Sequence, residues 1–345
     1  EIMPSLVGSE MCIRDSYKKY PEVRKILIGS SPYDETSRFN KVAFPGKNTP
    51  ILEIVDFLNA RARENQWGFV DFNRPMVAIN QWEQAEDSMY TLCGKDRIHP
   101  STDGHLVMAY LFLKAQGLAG KPVADIRIDG AGKKVTRSDN CRVSDLSVSS
   151  DNLTFTYEAK SLPYPIDTSY YDNEKHTQAD ALSVIPFMDE MNYEGLSVSG
   201  LSDGYYGLTI GGEFIGRFTA RELERGINMA LLQNTPQYKQ AMKIRQMNEE
   251  RWLKERKMRE FYWVEYNLMR KTGMLWACNE AAVDTLRKYR PHDIFLQWNG
   301  DLWLQYMHKG IREDCVNEQQ DLVNQIYEQN KPIPLRIEIK KFTDL

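Results

Sequence analysis

A chain of 345 residues is longer than one ordinary domain and predicts two or three. Hydrophobic residues at 42% and charged residues at 27% are the composition of a soluble globular protein with sizeable cores. The formal charge of −4 at pH 7 gives no reason to expect nucleic acid or an acidic membrane as partner. No apolar run approaches the roughly 20 residues that span a bilayer. The five cysteines, Cys12, Cys93, Cys141, Cys278 and Cys315, contain no C-x-x-C pair and signal neither a zinc cluster nor a disulfide framework.

Residues 1–16 stand apart. Leu6 to Ser16 reads LVGSEMCIRDS, which is what CTC-GTG-GGC-TCG-GAG-ATG-TGT-ATA-AGA-GAC-AGx encodes, and that DNA resembles the transposase adapter of sequencing libraries. The expectation is an adapter-derived scar over 1–16, with native sequence from Tyr17 and a gene entered in its middle.

From Tyr17 to Gly120 strands and helices alternate. Lys25–Gly29 is a short apolar run ending in the turn Gly29-Ser30-Ser31-Pro32, which predicts a buried strand. Ile51, Ile54, Val55 and Leu58 predict a helix over 49–64, Gly68–Phe72 a second strand, and Leu106–Gln116 a helix stopped by Gly117. This order argues for a parallel sheet covered by helices. Residues 121–218 read as a small antiparallel β module, with runs at Val143–Val148, Leu153–Tyr157 and Leu196–Val198. Tyr205–Ile210 and Glu213–Phe218 flank the hairpin signal Gly211-Gly212. Pro163–Asp180 reads as an exposed loop. Residues 219–345 read as helical. Thr219–Glu222 matches a capping box, and Thr235-Pro236 opens a helix that could run to Gly273, about 55 Å. Shorter helices near Glu280–Lys288 and Glu318–Glu328 follow, and Pro334–Lys340 alternates like a strand.

The chemistry concentrates in Asp96-Arg97-Ile98-His99-Pro100-Ser101-Thr102-Asp103-Gly104-His105. A carboxylate three residues before a histidine can bond one ring nitrogen, fix the tautomer and leave the other nitrogen to take a proton from a hydroxyl nucleophile. Asp96 and His99 are the candidate catalytic residues.

The block DRIHPSTDGHLVMAYLFLKAQG resembles the last motif of SGNH (GDSL-type) hydrolases, whose Asp and His fall on Asp96 and His99. PEVRKILIGSSPYDET resembles an earlier strand and loop of the same family. The resemblance covers residues 17–120 and implies part of a flavodoxin-like three-layer α/β/α fold. It also implies a serine nucleophile in a Gly-Asp-Ser block and a Gly and an Asn for the oxyanion. No Gly-Asp-Ser occurs here, so residues 17–120 are expected to be the C-terminal half of a truncated catalytic domain, itself inactive. Residues 196–236 resemble an extension seen in some bacterial members, which are usually exported to the periplasm or outside and associated with carbohydrate esters. The implied substrate is a small-molecule or carbohydrate ester, with no cofactor.

Other readings compete. Ser30 and Ser31 sit at a strand end but read as a plain turn, and Ser101 and Thr102 read as helix caps. His105 could join Asp96 and His99 in a metal site, which would make a metal-dependent hydrolase; its other reading is structural support of the loop. His176, His292 and His308 have no acidic partner at ligand spacing. Phe261, Tyr262, Trp263, Tyr266, Trp298 and Trp303 could form a sugar-stacking platform of a non-catalytic glycan-binding module, or helix packing. The basic run from Lys239 through Arg259 carries interleaved Glu249, Glu250 and Glu255 and reads as a solvated helix face.

Overall fold

The computed structural model describes residues 19–39, 43–169 and 176–342. The expected scar at 1–16 lies outside these residues. The described residues form a mixed α/β fold in two compact units, one drawn from 19–121 with 166–191 and the other from 122–165 with 192–342.

In the first unit β1 (Ile26–Ile28) and β2 (Gly68–Val70) pair in parallel, Ile26 opposite Gly68 and Ile28 opposite Val70. The expected helix α1 (Asn48–Glu64) connects them and packs on both. Helix α2 (Asn73–Glu83) follows β2 and carries no sequence expectation. Its buried face is partly polar. Asn73 exchanges amide bonds with Asn48, at 3.0 and 3.1 Å, and Asn80 Oδ1 accepts the Leu92 N–H at 2.9 Å. Helix α3 (Thr102–Ala115) ends as its glycine foretold. Gly117 takes φ +72°, Gly117 N–H reaches Lys114 O, and Leu118 N–H reaches Leu113 O, the paired bonds of a left-handed C-terminal cap. The core joins Val70, Phe72, Met76, Leu92, Leu106 and Val107. Ile166, Ala181, Ile185 and Phe187 complete it. The stretch expected as an exposed loop over 163–180 therefore contributes buried groups, among them Ile166, Asp167 and Thr177, and runs into a 3-10 turn at Gln178–Ser183.

The second unit contains two sheets. One has the order β10-β7-β3-β4, with β3 (Ala124–Asp129), β4 (Lys134–Asp139), β7 (Glu194–Ser199) and β10 (Ile227–Asn228). The other has the order β5-β6-β11-β8-β9, with β5 (Cys141–Val148), β6 (Asn152–Ala159), β8 (Tyr205–Ile210), β9 (Glu213–Thr219) and β11 (Leu335–Lys341). The module expected to be antiparallel includes one parallel pair, β3 with β7. Gly211 and Gly212 turn the β8–β9 hairpin at φ +58° and +86°. Strand β11 runs through the middle of its sheet, between β6 and β8, with Ile337 and Ile339 fully buried. Helix α4 (Ala220–Arg225) has the expected capping box between Thr219 and Glu222.

The long helix α5 (Pro236–Val264) opens with Thr235 Oγ1 capping Tyr238 N–H. It continues as a π segment at Glu265–Met269. Pairs such as Arg245–Glu249 and Arg256–Glu260 line its solvated face. Helices α6 (Glu280–Tyr289), α7 (Ile294–Tyr306) and α8 (Lys309–Gln329) pack beside it, α7 unforeseen and α8 longer than expected.

One buried group makes the second unit sensitive to pH. Glu194 is fully buried, accepts Tyr157 O–H at 2.8 Å and Gln237 Nε2–H at 3.2 Å, and keeps Oε2 without a bond. Burial pushes its carboxyl up to about 7, against the smaller lowering effect of the two bonds. The folded state thus binds a proton that the unfolded chain releases near 4.5. This contribution is complete below pH 4.5 and is lost as pH rises to about 7, a loss on the order of 3 kcal/mol. Glu194→Gln is expected to unfold at higher denaturant than the parent at pH 8, with the gap closing toward pH 4. A gap that widens toward acid would contradict the carboxyl's placement.

Candidate active site

The D-x-x-H motif occupies the loop between α2 and α3. The loop is closed at its base by a bridge between Cys93 and Pro100 and by Ser101 N–H donating to Leu92 O at 2.9 Å. Within it, Gly94 N–H donates to His99 O at 2.6 Å and Arg97 N–H to Gly94 O at 2.9 Å, making a tight turn over 94–99. Asp96 Oδ1 accepts the N–H groups of Ile98 at 3.1 Å and His99 at 3.0 Å, and its Oδ2 bonds His99 Nδ1. Burial raises the Asp96 carboxyl, but the bonds from the His99 ring and from the His99 and Ile98 amides outweigh it and hold the group below the usual carboxylate range. With Nδ1 committed to Asp96, Nε2 is the ring atom left to accept a proton. The ring is open to receive it: the His99 side chain is 84% exposed. No hydroxyl among the described residues bonds to it. Ser30 and Ser31 follow β1 in irregular chain.

The entry into α3 is tighter than its sequence suggests. Asp103, 1% exposed, takes Ser101 Oγ–H and Gly104 N–H on Oδ1 and His176 Nδ1 at 2.7 Å on Oδ2. His176, which has no acidic or cysteine partner at ligand spacing in the sequence and a surface or packing role as its default reading, is paired with a buried carboxylate, its ring 5.4 Å from that of Tyr90. The residues are 73 positions apart, so spacing gave no hint. Ser101 is the residue before the first turn, but its hydroxyl binds Leu92 O at 3.0 Å and Asp103 instead of a free helix amide. The His105 side chain lies exposed on α3, and its backbone N–H donates to Ser101 O at 2.8 Å, the first bond of the helix onto the loop. No cluster of His, Cys, Asp or Glu among the described residues could hold a metal ion, so the metal reading of Asp96, His99 and His105 has no geometric support.

Gly104 has a steric task. A Cβ there would lie 2.2 Å from Leu92 O and 3.1 Å from Pro100 Cβ, so only glycine lets α3 approach the base of the loop. Gly104→Ala is expected to cost about 1–3 kcal/mol through overpacking, read as a lowered thermal midpoint. An unchanged midpoint would show that the loop base yields freely.

A cleft of about 190 Å³ opens beside the 33–36 loop, walled by Tyr33, Asp34, Glu35 and Thr36 and by Asn80 and Gln81 of α2. Asp34 Oδ1 shapes that loop by accepting Thr36 N–H, Thr36 Oγ1–H and Ser37 N–H. In the second unit, Phe261 and Trp303 of the aromatic set are fully buried, whereas Trp298 is 66% exposed. Packing accounts for the first two.

The diltiazem deacetylase C-terminal helical domain family matches residues 242–331, from within α5 through α8. The solved structure of a gut microbial diltiazem-metabolizing enzyme matches with a TM-score of 0.90 and 40% sequence identity, over 97% of this chain and 76% of that one. No curated protein matches. The likeness marks the chain as a hydrolase of the esterase kind. At this identity and coverage the chain belongs to the same family as that diltiazem-metabolizing enzyme.

Proposed function

We propose that the protein is an SGNH-type serine esterase that removes acetyl or other acyl groups from a carbohydrate, with His99 as general base and Asp96 as its orienting carboxylate. The bond between Asp96 Oδ2 and His99 Nδ1, on a solvent-open ring, carries this reading. The similarity to a diltiazem-metabolizing enzyme supports a deacetylating reaction and makes diltiazem a convenient assay substrate. Residues 17–120 are the C-terminal half of the catalytic domain in this reading, and export to the periplasm or beyond belongs to the same proposal.

The serine comes from a segment outside the described residues. Its hydroxyl attacks the ester carbonyl while His99 Nε2 takes its proton, and the carbonyl oxygen becomes an oxyanion held by donors of that segment. His99 then protonates the departing alcohol, and Asp96 stabilises the imidazolium in between. Water, deprotonated by His99, attacks the acyl-serine and releases the acid. Without the serine the chain performs none of these steps. The test is deacetylation of acetylated sugars and of diltiazem by the chain completed with the serine-bearing segment, compared with its His99→Ala form. Equal rates would remove His99 from the mechanism.

A further inference from the structure

Arg97 stands between Asp96 and Ile98, yet its side chain engages a different loop. It is 3% exposed. One guanidinium nitrogen donates to Asp34 O at 3.2 Å and Ser37 O at 2.9 Å, and the other donates to Phe39 O at 2.7 Å. The Asp34 N–H donates back to Arg97 O at 2.8 Å. Two costly features coincide here. The backbone lies at φ +69°, a region that residues other than glycine seldom adopt, and a permanently charged group is buried. Glycine would meet the backbone demand alone, so the retained cost points to work done by the guanidinium. Its planar fork suits the task, because two nitrogens can reach three carbonyls spread over Asp34 to Phe39.

We infer that Arg97 is the positioning residue for His99: its guanidinium clamps the 94–99 turn to the 34–39 loop and so holds Asp96 against the His99 ring. The path is short. The clamp fixes the turn, the turn aims the Ile98 and His99 amides at Asp96 Oδ1, and the carboxylate then presents Oδ2 to Nδ1. The same bonds set the wall of the 190 Å³ cleft, since Asp34 lines it. This role rests on His99 being the base. It can be tested apart from that assignment, because the test reads the ring and not turnover.

The experiment is nuclear magnetic resonance on the full chain with ¹⁵N-labelled histidine, which leaves five histidines to resolve, His99 being assigned by its loss in His99→Gln. In the parent the neutral His99 ring should carry its proton on Nδ1 alone. Arg97→Gly keeps the backbone allowed and deletes the clamp. It is expected to give a fold unchanged by circular dichroism, a His99 ring with Nε2-protonated form as the major neutral species, and an unchanged Asp103–His176 signal. Millimolar methylguanidinium should restore the Nδ1 form in Arg97→Gly and leave the parent unaffected. Arg97→Lys carries the test if the glycine variant does not fold: a single ammonium cannot span the three carbonyls, so a mixture of tautomers is expected. A parent-like Nδ1 form in whichever variant folds, or failure of methylguanidinium to restore it in Arg97→Gly, would overturn the inference. Either result would leave the assignment of His99 as base standing.

Discussion

Residues 1–345 alone are expected to hydrolyse acetyl esters no faster than buffer, whereas the chain completed with its serine-bearing segment is expected to turn over and to lose activity with serine-directed covalent inhibitors. The reasoning is chemical. An imidazole held by a carboxylate can move protons, but an acyl-enzyme needs a hydroxyl within reach, and none among the described residues bonds to His99. In the completed enzyme His99→Ala should lower kcat by at least about 10⁴-fold, because the serine loses its proton acceptor and the leaving alcohol its donor. Asp96→Asn should be milder, by roughly a hundredfold. The ring keeps its place in the loop when only the orienting charge is lost. His105→Ala should leave kcat unchanged, since that side chain is exposed on α3 and bonds nothing in the loop. Steady-state rates on an acetyl ester check all three. A His105→Ala defect equal to that of His99→Ala would return the metal reading to consideration.

The second large effect concerns stability. Trp303 of α7 is fully buried among Phe261, Val264, Met269 and Leu286, and its Nε1–H donates to Glu265 Oε1 at 2.8 Å. Glu265 is itself fully buried and uses its other oxygen to accept Trp276 N–H at 2.8 Å, pinning the start of the π segment. Trp303→Ala therefore removes the largest buried side chain of the helical region, leaves a cavity and strips a buried carboxylate of a donor. The expected cost is about 3–5 kcal/mol. Trp303→Phe keeps most of the volume and loses the donor, for about 1–3 kcal/mol. Urea unfolding followed by helical circular dichroism separates the two. Equal midpoints for Trp303→Ala and the parent would mean that the ring carries little of the packing.

Local signals were legible in the sequence, and long-range ones were not. Asp96 and His99 could be paired because three residues span the contact, and the hairpin at Gly211-Gly212 because two residues define it. Gly117 announced the end of α3 for the same reason. Helix α2 escaped notice because its buried face is partly amide: Asn73 and Asn80 sit inward and satisfy Asn48 and Leu92, which erases the apolar stripe. Strand β4 has Val135 as its single apolar residue and is mostly exposed, so it lacks alternation. Helix α7 is apolar on its exposed side as well, with Phe295 and Trp298 outside and Leu296 and Trp303 inside, and shows no clean period. Strand β11 was recognisable as a strand, but its central place depends on partners more than a hundred residues earlier. In the site, Asp103 with His176 and Arg97 with the 34–39 loop are contacts of the same long-range kind.

The claim at the centre is that His99 activates a serine lying outside residues 1–345. Quenching the completed enzyme during turnover of an acetyl ester and mapping the covalent adduct by mass spectrometry tests it most directly. The account predicts an acetyl group on one serine of the added segment, transient in the parent and missing in His99→Ala. An acetyl group that forms on Ser30, Ser31 or Ser101, or that forms equally well without His99, would contradict it.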